Sequence, residues 1–275
     1  MTVNADPAAG QGLSYVYAVG RTGTPLDTVP DGRPGLEGGP LRTVAGGGLV
    51  AVVSTVPSTS YDSAGIASRM ADLDALEVLA RTHHSVVELA SAHTTVLPMR
   101  LATVYVDDAR VRSMLEEREP EFGALLARLE DHVEMGVKVY ADPRSAAAPA
   151  PAGGGPGSGQ PSSPGRAYLQ QRRAQRQNHR DAYRAAGAVA ADIPARVAGL
   201  AEARVSHRPQ QGELARAAGE NIANEAYLVR ASQEEEFRQA LQGVADGVPG
   251  VEVEVTGPWA PYSFATPPES GGGTR

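Results

Sequence analysis

Residues 224–257 read NEAYLVRASQEEEFRQALQGVADGVPGVEVEVTG. The opening NEAYLVRA is predicted to be a strand, with its apolar centre at Tyr227–Val229. SQEEEFRQALQGVADG reads as a helix, started by a capping box in which Ser232 is answered three residues later by Glu235. VEVEVTG then alternates with a period of two: Val251, Val253 and Val255 face inward, Glu252 and Glu254 outward. A strand, a helix and a strand, preceded by a long polar helix over roughly 166–204, make half of a ferredoxin-like unit. Pro194 should kink or interrupt that long helix.

Upstream, residues 141–165 hold six prolines and six glycines and almost no bulky apolar side chain. Such a segment buries too little surface to offset its ordering entropy. It is either a flexible linker between two domains or a long loop within one. The stretch before it alternates element types. LSYVYAVGR is a first strand with Leu13, Tyr15, Tyr17 and Val19 on one face. PLRTVAGGGLVAVVSTVP is a hairpin turning at Gly46–Gly48. Residues 62–92 repeat leucine and valine at helical spacing, TVLPMRLATVYV is a strand, and Asp107 opens a helical stretch that Pro120 splits. VEMGVKVYA closes this half as a strand. The expected fold is α+β with two domains. They are an N-terminal α+β domain at 13–140 and, after the linker at 141–165, a helical and ferredoxin-like domain at 166–257. A C-terminal aromatic and proline tail occupies 258–275. Both sheets are mainly antiparallel, and helices pack on one face of the first.

Composition narrows the function. Cysteine is absent, which removes disulfides, thiolate metal sites and thiol nucleophiles. The net charge of −7 argues against general nucleic-acid binding. The first residues, MTVNADPAAGQG, lack the pattern of a signal peptide, and no apolar run is long enough to span a bilayer. The expectation is a cytoplasmic chain that does not enter membranes.

Few residues suggest chemistry. His83 and His84 are adjacent on a helix, so they point about 100° apart and do not share a ligand; His93, His132, His179 and His207 are scattered. Asp72 and Asp74 do not face one another, and Asp107 reads as an N-cap. No P-loop, dinucleotide fingerprint or nucleophile elbow occurs. The chain is therefore not expected to be an enzyme, and no cofactor, metal or small-molecule substrate is expected. One charge feature stands out. Arg172, Arg176, Arg180 and Arg184 recur every four residues, forming a basic stripe. It is either a solvated helix exterior or a surface for an anionic partner.

The chain's only tryptophan lies in TGPWAPYSF, with Pro258, Trp259, Pro261, Tyr262 and Phe264 within seven residues. Two readings fit. The rings fold back over the core as a clasp, or some of them form a partner-binding site.

Taken in order, the motifs resemble the gas vesicle protein F/L family. YVYAVGR (15–21) is similar to its opening strand and VLPMRLATVY (96–105) to its central Leu-Pro strand. VEMGVKVYAD (133–142), GRAYLQQRR (165–173) and NEAYLV (224–229) resemble later family stretches. TGPWAPYSF (256–264) resembles the terminal signature and is the most specific of the set. Ala260 replaces a usual proline, Met135 a common aromatic residue and Ala102 a common glycine. The resemblance implies two α+β domains, the second ferredoxin-like, with a tail lying over the body. It implies an assembly or structural accessory role in gas vesicles, with the hydrophobic shell protein and sibling accessory proteins as partners, and residence in the cytoplasm or the gas vesicle. The alternative reading of the same elements is a ligand-sensing ferredoxin-like regulatory protein; nucleic-acid association through the arginines is a third.

Overall fold

In the computed structural model, which describes residues 12–27, 33–145, 164–209 and 219–266, strand β1 (Gly12–Arg21) is the centre of the first sheet. It pairs antiparallel with β3 (Leu49–Pro57) on one side, and with the two-residue strands β4 (Leu97–Pro98) and β5 (Val104–Tyr105) on the other. Strand β2 (Arg42–Gly46) completes the order β2-β3-β1-β4. The β2–β3 hairpin turns through Gly47 and Gly48, as the sequence predicts, with Gly47 at φ 61°. That left-handed backbone favours glycine; a Cβ there would also meet the Glu119 carboxylate at 2.6 Å, which the flexible side chain could relieve by moving.

The face assignment of β1 needs one correction. The register with β3 shifts between Val16 and Ala18, so Tyr17 is a bulge. Tyr15, Tyr17 and Ala18 therefore share one core cluster, with Leu13 packed against it. Val19, predicted to join them, is turned to the opposite face, where it is fully buried.

Both faces are covered, not one. Helix α1 (Ser58–Tyr61), α2 (Ser63–Ala71) and α3 (Leu73–Ser91) follow β3. Leu79, Val86, Val87 and Ala90 of α3 close the tyrosine face. Helices α4 (Asp108–Glu117) and α5 (Glu119–Leu129) pack on the other side, burying Val111, Leu115, Phe122, Leu126 and Leu129. The reason is visible in LVAVV of β3, a continuous apolar run of the kind that belongs to a strand buried on both faces. Aspartates start the helices: Asp62 accepts from the Gly65 N–H, Asp72 from those of Asp74 and Ala75, and Asp107 from that of Arg110. Arg118 separates α4 from α5, and Pro120 sits in the first turn of α5. On the α4 side, Arg42 grips Asp108 at 2.6 and 2.9 Å, while Ser14 donates to the same carboxylate. The Arg42 hydrogen bonds, chiefly, hold the Asp108 carboxyl below its usual range.

TVLPMRLATVYV is not one strand. A turn separates β4 from β5, and Ala102 in it adopts φ 63°. Its N–H donates to the Tyr15 hydroxyl at 3.0 Å, which fixes the turn on β1. A left-handed alanine is strained by about 1–2 kcal/mol, part of which glycine's greater unfolded-state entropy offsets. Ala102→Gly is therefore expected to raise the unfolding free energy by about 0.5–1 kcal/mol, measured by urea denaturation.

The second compact unit spans Val133–Pro258. Strand β6 (His132–Ala141) does not close the first sheet, as predicted, but belongs to this unit's sheet. It is followed by α6 (Pro164–Arg196), β7 (Ala201–His207), β8 (Glu220–Arg230), α7 (Glu234–Leu241) and β9 (Val251–Trp259). The chain order is β-α-β-β-α-β and the sheet order β7-β8-β6-β9. Met135, Val137, Val139 and Ala141 of β6 meet Ala186, Val189 and Ile193 of α6, Tyr227 and Val229 of β8, and Phe237 and Leu241 of α7. Val251, Val253 and Val255 pack against this core, while Glu252 and Glu254 are exposed. The Pro/Gly-rich segment predicted at 141–165 lies, from 146 to 163, outside the described residues.

Three further expectations change here. The long helix ends at Arg196, not near 204, and Ala201–His207 is a strand. Its inward side chains are Ala201, Ala203 and Val205, and alanine, glutamate and arginine are helix formers, so the sequence signal favours the wrong period. Pro194 does not interrupt α6, because it falls in the last turn, where the helix is ending anyway. Finally, Ser232 makes no capping box. A short 3₁₀ turn at Ala231–Gln233 puts Gln233 in the cap position without a side-chain bond.

Candidate functional site

A cis Gly257–Pro258 bond lies near the end of β9, and from Trp259 onward the chain belongs to the first unit. Its side chains then divide. Pro258 is exposed and Trp259 keeps 37% of its surface in solvent. Ala260 and Phe264 are buried, at 6% and 3% exposure, Pro261 is buried, and Tyr262 is half-buried. A 3₁₀ turn over Tyr262–Phe264 aims these groups inward. Phe264 N–H donates to the Pro261 carbonyl at 3.1 Å and Tyr262 N–H to that of Ala260 at 2.8 Å. Ala260 and Tyr262 pack on the cluster built from Tyr15, Tyr17, Val86 and Val87.

Beneath the tail the rings are continuous. Tyr15 lies 4.8 Å from Tyr17 and 6.1 Å from Tyr61, centre to centre. His83 sits 5.7 Å from both Tyr15 and Tyr17, and 6.3 Å from Tyr262. His84 then meets Tyr262 at 6.1 Å and the edge of Trp259 at 5.3 Å. The two adjacent histidines diverge as helical geometry requires: His83 is buried and His84 faces the tail.

The buried hydroxyls are satisfied. Tyr17 shares a 2.7 Å bond with Ser54 and accepts from the Leu36 N–H at 2.8 Å. Tyr15 pairs with His83 Nδ1 at 2.9 Å. Burial pushes the pKa values of Tyr15 and Tyr17 above the usual phenol range. Burial likewise pulls His83 down to about 4; the Met99 backbone opposes this and His84 adds to it. All three groups are therefore neutral at pH 7. The arrangement supplies hydrogen bonds and packed area rather than charge.

A cleft of about 420 Å³ opens beside the tail, lined among others by Arg100, Tyr105, Arg118, Phe122 and Tyr262. Arg118 is engaged in it, lying 4.2 Å over the Phe122 ring and bonded to both carboxylate oxygens of Glu121. No sequence motif announces the cleft, because its residues come from the β4–β5 turn, α5 and the tail. Among the described residues no group of three or more His, Asp or Glu is placed to hold a metal ion, and no helix is long and apolar enough to cross a membrane.

The basic stripe lies elsewhere. Arg172, Arg176, Arg180 and Arg184 are all exposed along α6. Arg184 approaches Asp181 at 3.4 Å. The tail and the stripe belong to different units.

Three comparisons bear on this architecture. A family model described as gas vesicle synthesis protein GvpL/GvpF matches residues 13–266. Gas vesicle protein L from Streptomyces sp. (strain CB03234) is 41% identical over 254 residues, 92% of each chain. Gas vesicle protein F from the same strain is 33% identical over 129 residues, 47% of this chain and 49% of the relative. The fold is similar to the crystal structure of GvpF from Anabaena sp. PCC7120, with a TM-score of 0.63 at 17% identity over 94% of this chain and 97% of that one. It is also similar to GvpF from Microcystis aeruginosa, with a TM-score of 0.61 at 18% identity over 92% and 99%. The matched span runs from β1 through the 3₁₀ turn that seats Phe264, so the chain belongs to the gas vesicle GvpL/GvpF family.

Proposed function

We propose that this protein acts in gas vesicle assembly as an accessory component that binds the small hydrophobic shell protein and sibling accessory proteins. It works in the cytoplasm and at the growing vesicle, and performs no catalysis. Family membership supports the gas vesicle role. The observation that carries the binding reading is the division of the tail. A family member that buries Ala260, Pro261 and Phe264 leaves its one tryptophan 37% exposed against His84. A ring held in place by neighbours but open to solvent loses little freedom on binding, which is what an interface anchor needs. Leu73, 62% exposed, lies eleven residues from His84 on α3, three turns along the same helix face. The face thus offers apolar groups within reach of an apolar partner.

The test is retention of purified shell protein by the tagged full-length chain. The expected result is capture that survives moderate salt, since the contact is apolar. A chain that is folded by circular dichroism but retains no shell protein would refute the proposal. Tight, saturable binding of a small metabolite in the cleft near Arg100 would favour the regulatory reading instead.

A further inference from the structure

Helix α6 is held to its unit by its C-terminal half. Its first buried side chain among the described ones is Ala182, and the packed stripe continues through Ala186, Val189 and Ile193. From 172 to 181 every described side chain except Asn178 is exposed or fully open to solvent on its outer side. Over this length the charges are Arg172, Arg173, Arg176 and Arg180, and the first acid is Asp181. Arg180 and Arg184 lie roughly opposite the buried stripe, given about 100° per residue.

These residues work against the helix that carries them. Arg172–Arg176, Arg176–Arg180 and Arg180–Arg184 are three like-charge pairs at i,i+4, a spacing that destabilises an isolated helix. Local compensation is slight. Asp181 approaches Arg184 at 3.4 Å and also accepts from Gln177. Arg176 and Arg180 form no ion pair among the described residues. A solvated exterior would be expected to mix its signs, as α3 does with Glu77–Arg81 and α4 with Arg110–Glu117. Like charges repeated along one exposed helix face break a local rule, and such breaks concentrate at functional surfaces.

We infer that the exposed arginine stripe of α6 docks an acidic helix of a partner protein, one carrying carboxylates every fourth residue along one face. The geometry selects that occupant. Arginines four apart rise by about 6 Å per step and cover roughly 18 Å from Arg172 to Arg184. A second helix with glutamates at i,i+4 repeats the same spacing, and each arginine meets a carboxylate in its planar fork. Nucleic acid fits less well, because the chain carries net −7 and Tyr183, near the stripe, is stacked on His179 and bonded to Glu220. The stripe belongs to the second unit and Trp259 to the first, and the experiment below uses no shell protein.

The experiment uses the full chain and three labelled probes at equal concentration: a helical alanine-based peptide with glutamates at i,i+4, a peptide of the same composition with the glutamates scrambled, and a 20-base-pair DNA duplex. Fluorescence anisotropy is read at low and physiological salt. The expected result is at least fivefold tighter binding of the spaced peptide than of either other probe. The triple variant Arg172→Gln, Arg176→Gln, Arg180→Gln should lose at least tenfold in affinity for it. A control variant, Arg110→Gln, should bind as the parent does. Circular dichroism establishes that the variants keep their helix. Equal binding of spaced and scrambled peptides, unchanged binding by the triple variant, or preference for DNA would each overturn the inference.

Discussion

Phe264→Ala should lower the unfolding free energy by about 3–5 kcal/mol, the range for truncating a buried aromatic ring. The ring is 3% exposed and sits at the end of the turn that seats the tail. Its removal leaves a cavity and loosens Ala260 and Tyr262, which pack on the Tyr15–Tyr17 cluster. Trp259→Ala should behave differently. With 37% of the residue in solvent and its contact with His84 edge-on, the expected loss is smaller, about 2 kcal/mol, since only part of the ring's area leaves water on folding. Urea denaturation followed by far-ultraviolet circular dichroism measures both. For the Phe264 variant, the fluorescence of the chain's only tryptophan gives an independent reading of the tail. Equal losses for the two substitutions would mean that the tail is one uniform clasp.

The second large effect is acid sensitivity arising from His83. The folded state holds this imidazole at about 4, against an unfolded value near 6.5. Between these values the unfolded chain binds a proton that the folded chain excludes. Stability contributed by the neutral ring is therefore fully present above about pH 6.5 and is lost progressively as pH falls toward 4. The shift corresponds to about 3 kcal/mol at 1.36 kcal/mol per unit. The ring is 3% exposed, so solvent screening does little to reduce this. Tyr15, Tyr17 and Tyr262 face it, stay protonated across the window and do not compensate; His84 stands beside it in sequence and disfavours its protonation further. Replacing the ring by His83→Gln keeps a group able to bond the Tyr15 hydroxyl and removes the titration. Urea midpoints at pH 7 and pH 4.5 should fall steeply for the parent and by much less for the variant. Parallel losses in both would place the acid sensitivity elsewhere.

How much of this was readable without coordinates depends on the kind of signal. The Gly47–Gly48 hairpin, the Asp107 cap, the break at Pro120 and the alternation of β9 were legible because each is set by neighbours in sequence. The allocation of β6 to the second sheet was not, since VEMGVKVYA carries an inward face but no label for its partner strand. Ala201–His207 was hidden by helix-forming residues that tertiary packing overrides. The bulge at Tyr17 turned Val19 over, and a period-two reading has no means of seeing an inserted residue. At the tail, the sequence singles out Pro258, Trp259, Pro261, Tyr262 and Phe264 and leaves two roles open. Local chemistry does not say which ring meets the core; only the 3₁₀ turn, which buries Phe264 and leaves Trp259 outside, separates them.

The proposed function divides the tail into a structural half, anchored by Phe264, and a binding half, presented by Trp259. Shell-protein binding by the full chain and by Trp259→Ala, measured beside the urea midpoints of the same samples, tests it most directly. The expected result is a midpoint lowered only modestly, by less than for Phe264→Ala, and an affinity weakened at least tenfold, as befits the truncation of an anchoring tryptophan. An unchanged affinity in a folded Trp259→Ala chain, or a loss of binding that appears only together with a collapse of the midpoint, would contradict it.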